Sequence, residues 1–291
     1  MTYYQFIHEV EVKVKEGVKE NTTVYIRSAV KNNGTTRQGL TIAETGLNIF
    51  PTIYLEEYYQ QFQEGSSVEN IAGDILRLYG EVRFKRSFES ESITDYEKVK
   101  KKIVYRLVNQ EANKDLLKEV PYEAYLDMAV VFYVLLEVNT YGMASMLIKD
   151  EHLAMWNVTA EEICRRAHEN TGKLLPYELK TMKAVIQELT DTESEDKEDV
   201  MYVLSNRSRS YGAAAILYKG RLEEIGEYLE EDYYVLPSSV HEVIIIPQSA
   251  APGQEELSDL VTEINTTQVD AEEVLSNHAY YYDRKKKKLL M

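Results

Sequence analysis

Apolar and polar positions recur along this chain with several distinct periods, and each period predicts an element. In the opening FIHEVEVKVKEGV, Phe6, Val10 and Val14 share one face of a 3.6-residue repeat. Val10, Val12 and Val14 also alternate as in a strand, but the helical reading is preferred. VYIRSAV and GLTIAE then flank Lys31-Asn32-Asn33-Gly34, and an Asn-Gly pair between β-rich runs predicts a hairpin because both residues accept positive φ. After Pro51, Tyr54, Tyr58 and Phe62 recur at helical spacing up to Gly65, and Ser66 with Glu69 reads as a capping box before Ile71, Ile75 and Leu78. A further helix is expected from Thr94, with Glu97 as its capping partner and Val99, Ile103 and Leu107 on one face, ending before Pro121.

The second half opens on YLDMAVVFYVLLEV, whose apolar run predicts a buried strand over 128–137 and is too short to cross a bilayer as a helix. An internal repeat follows at an offset of about 70 residues. Tyr133-Val134-Leu135 leads to Tyr141-Gly142-Met143-Ala144-Ser145, and Tyr202-Val203-Leu204 leads to Tyr211-Gly212-Ala213-Ala214-Ala215. Each copy reads as strand, turn, strand and helix, the helices being Thr159 to His168 and Leu222 to Leu229. The acidic stretch 188–199 between the copies reads as an exposed linker. DYYVL and EVIIIP form a hairpin, and QEELSDLVTEI a helix. The expected class is α+β: an N-terminal hairpin-plus-helices unit over 1–120, then a C-terminal α+β part over 121–291. In the latter, two ββα-like repeats, about 128–170 and 200–232, share a mixed or antiparallel sheet.

Charge narrows the range of partners. With 49 acidic and 33 basic side chains the net charge is -16, which repels phosphate backbones and anionic membranes, so direct nucleic-acid or membrane binding is not expected. One basic stretch, Arg83 to Arg106, runs against this trend, and reads as the solvated face of a helix. Cys164 is the single cysteine, which fits a reducing, cytoplasmic setting; the first residues carry no basic and apolar leader pattern. Tyrosine is over-represented, with 23 against one Trp and six Phe. It supplies apolar area with a polar tip, serving either core edges or interaction surfaces.

Candidate chemistry is sparse. Glycine-rich phosphate loops, nucleophile elbows and paired C-x-x-C motifs are missing, and no two of the five histidines sit at helical ligand spacing. No catalytic residue, metal or other cofactor is therefore expected. Ser238, Ser239, His241 and Glu242 bring a hydroxyl, an imidazole and a carboxylate into one loop, although a triad is assembled in space rather than from consecutive residues and ordinary turn hydrogen bonding is the preferred account. Tyr141 and Tyr211, at the repeat turns, are candidate binding tyrosines. Glu178-Leu179-Lys180 matches the Glu-x-Lys pair of some metal-dependent nucleases, a pairing that chance also supplies, as at Glu11-Val12-Lys13. Cys164 lies beside Arg165, Arg166 and His168 but falls with Ile163 and Ala167, which reads as core.

The segments KNNG, TTRQGLTIAETG, LNIFPTIYLEEYY, MYVLSN, YGAAAILY, YYVLPSSVHEVIIIP and VLSNHAYYYDR together resemble a bacterial family, domain of unknown function 5688, over nearly the whole chain. The resemblance implies a defined fold and a cytoplasmic bacterial setting, often among mobile-element genes, and assigns no catalytic residue. The leading functional expectation is a non-enzymatic protein-binding or regulatory module using exposed tyrosines. An acidic mimic of nucleic acid and a hydrolase assembled between the two parts are the alternatives. A protein partner is expected, and edge pairing of sheets allows a homodimer.

Overall fold

The computed structural model describes residues 1–47, 50–83, 93–139, 142–190 and 200–291, and the chain divides into two compact units, Met1–Ile93 and Thr94–Met291. In the first unit, α1 (Tyr3–Gly17) starts at Thr2, whose side chain accepts from the Gln5 N–H while Gln5 returns a bond to the Thr2 N–H. This satisfies two otherwise unpaired donors of the first turn. The helix buries Phe6, Ile7, Val10 and Val14, the face expected from their spacing. The hairpin forms as expected: β1 (Thr22–Val30) pairs antiparallel with β2 (Thr36–Glu44) across a turn where Asn33 and Gly34 take φ of 57° and 70°. β3 (Thr52–Tyr54) adds to β2. The helix expected after Pro51 is thus a short strand followed by α2 (Glu56–Gln63). α3 (Val68–Val82) is capped by Ser67 rather than Ser66, with Ser67 Oγ accepting from Asn70 N. Ile71 and Ile75 join Phe6, Val10, Leu40, Ile42 and Leu55 in a core belonging to this unit alone.

The second unit begins with α4 (Tyr96–Val99), a turn of 3-10 helix, and β4 (Ile103–Asn109). β4 pairs antiparallel with β6 (Met128–Asn139), which β5 (Tyr122–Tyr125) and β7 (Gly142–Leu147) also join. The helix expected through Ile103 and Leu107 is therefore a strand. Ile103 to Val108 are all buried, and a run buried on both faces has no alternation to betray its period. Because this strand pairs with β6, the unit boundary falls at 93/94 instead of near 120.

After α5 (Asp150–Trp156) and α6 (Ala160–Leu174), β8 (Tyr177–Thr181) and α7 (Met182–Thr190) precede β9 (Tyr202–Asn206). Glu188 to Thr190 end α7; the rest of the expected linker, 191–199, lies outside the described residues. α8 (Arg221–Leu229), β10 (Tyr233–Leu236), β11 (Val243–Pro247), α9 (Gln254–Thr267), β12 (Tyr280–Asp283) and β13 (Lys288–Leu290) complete the unit. The second sheet has the order β13-β12-β10-β11-β9-β8.

The fold is α+β with antiparallel sheets, but the two sequence copies do not share one. The first forms the β6–β7 hairpin of the four-stranded sheet, and the second places β9 in the six-stranded sheet. Where the first copy has β7, the second has a buried 3-10 helix, Gly212–Leu217. The small residues mark the close approach expected of them, but to different neighbours: a Cβ on Gly212 would collide with Ser205 Oγ, lie 2.5 Å from Asn206 N and 2.6 Å from His241 O.

Part of the tyrosine excess serves the core. Tyr105, Tyr233, Tyr280 and Tyr282 are among the largest fully buried side chains, and Tyr233 and Tyr282, opposite each other on β10 and β12, stack with centroids 4.8 Å apart. The Tyr233 hydroxyl donates to Leu222 O and that of Tyr280 to Asp127, as the buried Tyr218 does to Leu175 O, whereas the Tyr282 hydroxyl has no hydrogen-bond partner among the described residues.

Candidate functional site

The loop between β10 and β11 gathers most of the expected site residues, and it uses them up internally. Ser239 is buried, and its Oγ accepts from the His241 N–H at 3.0 Å. His241 Nδ1 accepts the Tyr211 N–H at 3.2 Å, which leaves the ring proton on Nε2 to donate to Glu273 Oε1, also at 3.2 Å. A ring held at both nitrogens is not free to take a proton from a serine. Ser238 contributes its carbonyl to Leu275 N, and Ser205 Oγ donates to His241 O. Burial raises the Glu242 carboxyl above its ordinary value of 4.5. These contacts pin the loop to β9 and to the segment before β12.

Tyr211 belongs to the same cluster, with left-handed backbone (φ 52°) and its ring 5.4 Å from that of His241. The same ring meets Arg106, whose guanidinium lies 4.0 Å from the Tyr211 centroid and 4.1 Å from that of Tyr133. Arg106 is thus a buried clasp between the two sheets rather than part of a basic surface. Tyr141 lies outside the described residues.

The Glu-x-Lys pair sits on β8. Lys180 bonds both Glu178 (3.1 Å) and Glu188 (2.6 Å), and Arg209 pairs with the same two carboxylates. Cations already neutralise these carboxylates, so the pair is an ion network and offers no nuclease-like metal site.

β8 carries a second feature that local spacing does not announce. It is the outermost strand of its sheet among the described residues. Arg207 N bonds Pro176 O and Met182 N bonds Met201 O, so the even-numbered residues between them face β9. By the same alternation Tyr177, Leu179 and Thr181 aim their N–H groups away from it, as Tyr177 and Leu179 do their C=O groups, whereas Thr181 caps α7, its Oγ accepting from Ala184 N and its C=O starting the helix. Beside this edge lies a cavity of about 610 Å³, lined by Tyr177, Leu179 and Thr181 of β8, Tyr202 and Arg207 around β9, and Tyr228 of α8. A second depression of about 410 Å³ shares Tyr202 and Tyr228 and continues to Val200. Two of the exposed apolar side chains line these depressions: Tyr228 is 65% exposed and Val200 42%. On one wall Arg221 stacks on Tyr177 and bonds Glu224, whereas the exposed Arg207 guanidinium has no partner among the described residues.

Cys164 packs against the core, as expected, yet its sulfur donates to Glu123 Oε2 at 3.2 Å, and His168 Nε2 lies 3.3 Å from the same oxygen. Burial, reinforced by Glu123, pushes the thiol up to about 12. Arg165 and Arg166 do not oppose this, because Glu162 and Glu169 engage both.

Fold and site together describe an α+β protein whose candidate loop is structural and whose open features are a strand edge and a Cys-His-Glu cluster. The chain belongs to a family of unknown function, DUF5688, which it matches over residues 3–284. No curated protein and no solved structure matches it. Among the described residues, no helix is long and apolar enough to cross a membrane.

Proposed function

We propose that the chain is a non-enzymatic protein-binding module that takes an extended segment of a partner protein along the open edge of β8. The observation that carries this reading is the coincidence of three outward-facing backbone positions with an adjoining groove walled by tyrosines. Main-chain bonds to Tyr177, Leu179 and Thr181 would supply affinity in any sequence, and alternate side chains entering the groove would supply selectivity. The unpartnered Arg207 favours a segment with an acidic side chain at that wall. This narrows the broader expectation of exposed tyrosines, since Tyr105, Tyr233, Tyr280 and Tyr282 are fully buried and only a few tyrosines, Tyr177 and Tyr228 among them, stand exposed.

A photo-crosslinking residue placed at Tyr228, with the still more exposed Tyr4 as control, tests the proposal in cells. The expected result is a covalent adduct with one other protein from position 228 and not from position 4. That protein should then bind Tyr177→Ala more weakly by about 2 kcal/mol, the scale of an interface hot spot. Adducts with a second copy of the chain, the same adducts from both positions, or none from either would overturn it.

A further inference from the structure

We propose that Glu123, Cys164 and His168 form a binding site for a divalent transition metal of the zinc class, independent of the β8 edge. One ligand atom from each, the carboxylate oxygen, Sγ and a ring nitrogen, lies within 4.8 Å of the other two. Two of the three separations are 3.2 Å (S to O) and 3.3 Å (N to O). Bonds of about 2.0–2.3 Å to a tetrahedral zinc place neighbouring ligand atoms roughly 3.3–3.8 Å apart, so these contacts are already at ligand spacing.

The scaffold behind the cluster is rigid. Cys164 and His168 stand four residues apart on α6, a spacing that puts both on one face, and Glu123 is fixed opposite them by the pairing of β5 with β6. The Tyr105 ring packs 4.9 Å from the His168 ring and limits its rotation. Glu123 and His168 are exposed and Cys164 is half-buried, so an ion has access. The charges also balance: a thiolate and a carboxylate neutralise a dication, while the neighbouring arginines are held by Glu162 and Glu169.

In the metal-free protein the thiol proton occupies the place the ion would take, bridging Sγ to Glu123. Binding exchanges one for the other: the S–H bond breaks, its proton leaves to solvent, and the sulfur electron pair forms the metal bond with no change of oxidation state. Three protein ligands leave a fourth position for water or an incoming group, the pattern of exchangeable rather than purely structural sites. Imidazole, thiolate and carboxylate together suit zinc or cobalt better than magnesium or calcium, which prefer oxygen alone.

The test uses untagged full-length protein titrated with Co²⁺ and Zn²⁺. Co²⁺ is expected to bind with one equivalent and to give a thiolate charge-transfer absorption, which Zn²⁺ bleaches by displacement. Cys164→Ser should abolish that absorption, and His168→Ala should weaken binding by about 100-fold or more, beyond what loss of a merely supporting residue costs. Cys164 is the only cysteine, so its alkylation reports on the site without any substitution. Saturating Zn²⁺ should slow that alkylation by at least about tenfold, because the lone pair is engaged. A charge-transfer band that is absent, or an alkylation rate that Zn²⁺ leaves unchanged, overturns the assignment.

Discussion

Two glycines separate the effect of space from the effect of chain entropy. Gly73, inside α3, has nothing within 4 Å of where a Cβ would be, whereas Gly212 is enclosed by Ser205, Asn206 and His241. Gly212→Ala is expected to cost about 3 kcal/mol or more, since backbone atoms cannot yield as a flexible side chain can, and Gly73→Ala to add up to about 1 kcal/mol. Chemical denaturation of the two variants checks both signs. Glu242 makes a pH-dependent counterpart. Burial raises its carboxyl, so ionising it opposes folding: the favourable state holds below the unfolded value and is lost as pH rises through the folded one. Glu242→Gln should therefore raise the unfolding temperature at neutral pH, and the difference should close towards about pH 4, where both side chains are neutral. A gain that persists undiminished in acid would refute the burial cause. The candidate residues themselves were only partly legible in the sequence. Ser239, His241 and Tyr211 do meet, but sequence proximity cannot say that both ring nitrogens are already engaged. Cys164 and His168 stand at a readable spacing, while their third companion, Glu123, lies on a strand whose placement depends on long-range pairing.

Secondary structure was most legible where one face of an element is wet. α1 and the β1–β2 hairpin follow from periodicity and from an Asn-Gly turn, because solvent on one side imposes a pattern. β4 has no such side. Val99, Ile103 and Leu107 fit a helical face only because every residue from Ile103 to Val108 is apolar or buried, including Arg106. Alanines 213–215 likewise carry no period, and their tight 3-10 coil is imposed by neighbours. Arg106 is the price of joining two sheets through a polar side chain: Ser145 Oγ accepts from one Nη at 2.7 Å, and its Nε has no hydrogen-bond partner among the described residues. Its planar head lies between two tyrosine rings, a geometry an ammonium cannot reproduce. Arg106→Lys should destabilise the second unit by about 2 kcal/mol, measured as a shift of the denaturation midpoint at unchanged slope.

At the scale of the molecule, the two units each own a core. No residue of the core around Phe6, Leu40 and Ile75 recurs in the core around Tyr105, Phe132 and Tyr280. Met1–Ile93 and Thr94–Met291, expressed separately, should therefore each unfold cooperatively, and a fragment that melts without a transition would show that its core is insufficient alone. The only tryptophan, Trp156, belongs to the second unit, where it is buried and stacked against His152 with ring centroids 5.5 Å apart. Burial lowers the His152 imidazole below its ordinary 6.5, so at neutral pH the ring against the indole is uncharged. Nature has thus left an optical label on one half of the chain: indole emission follows the second unit through melting, and in the folded state it dims when acid charges the imidazole beside it.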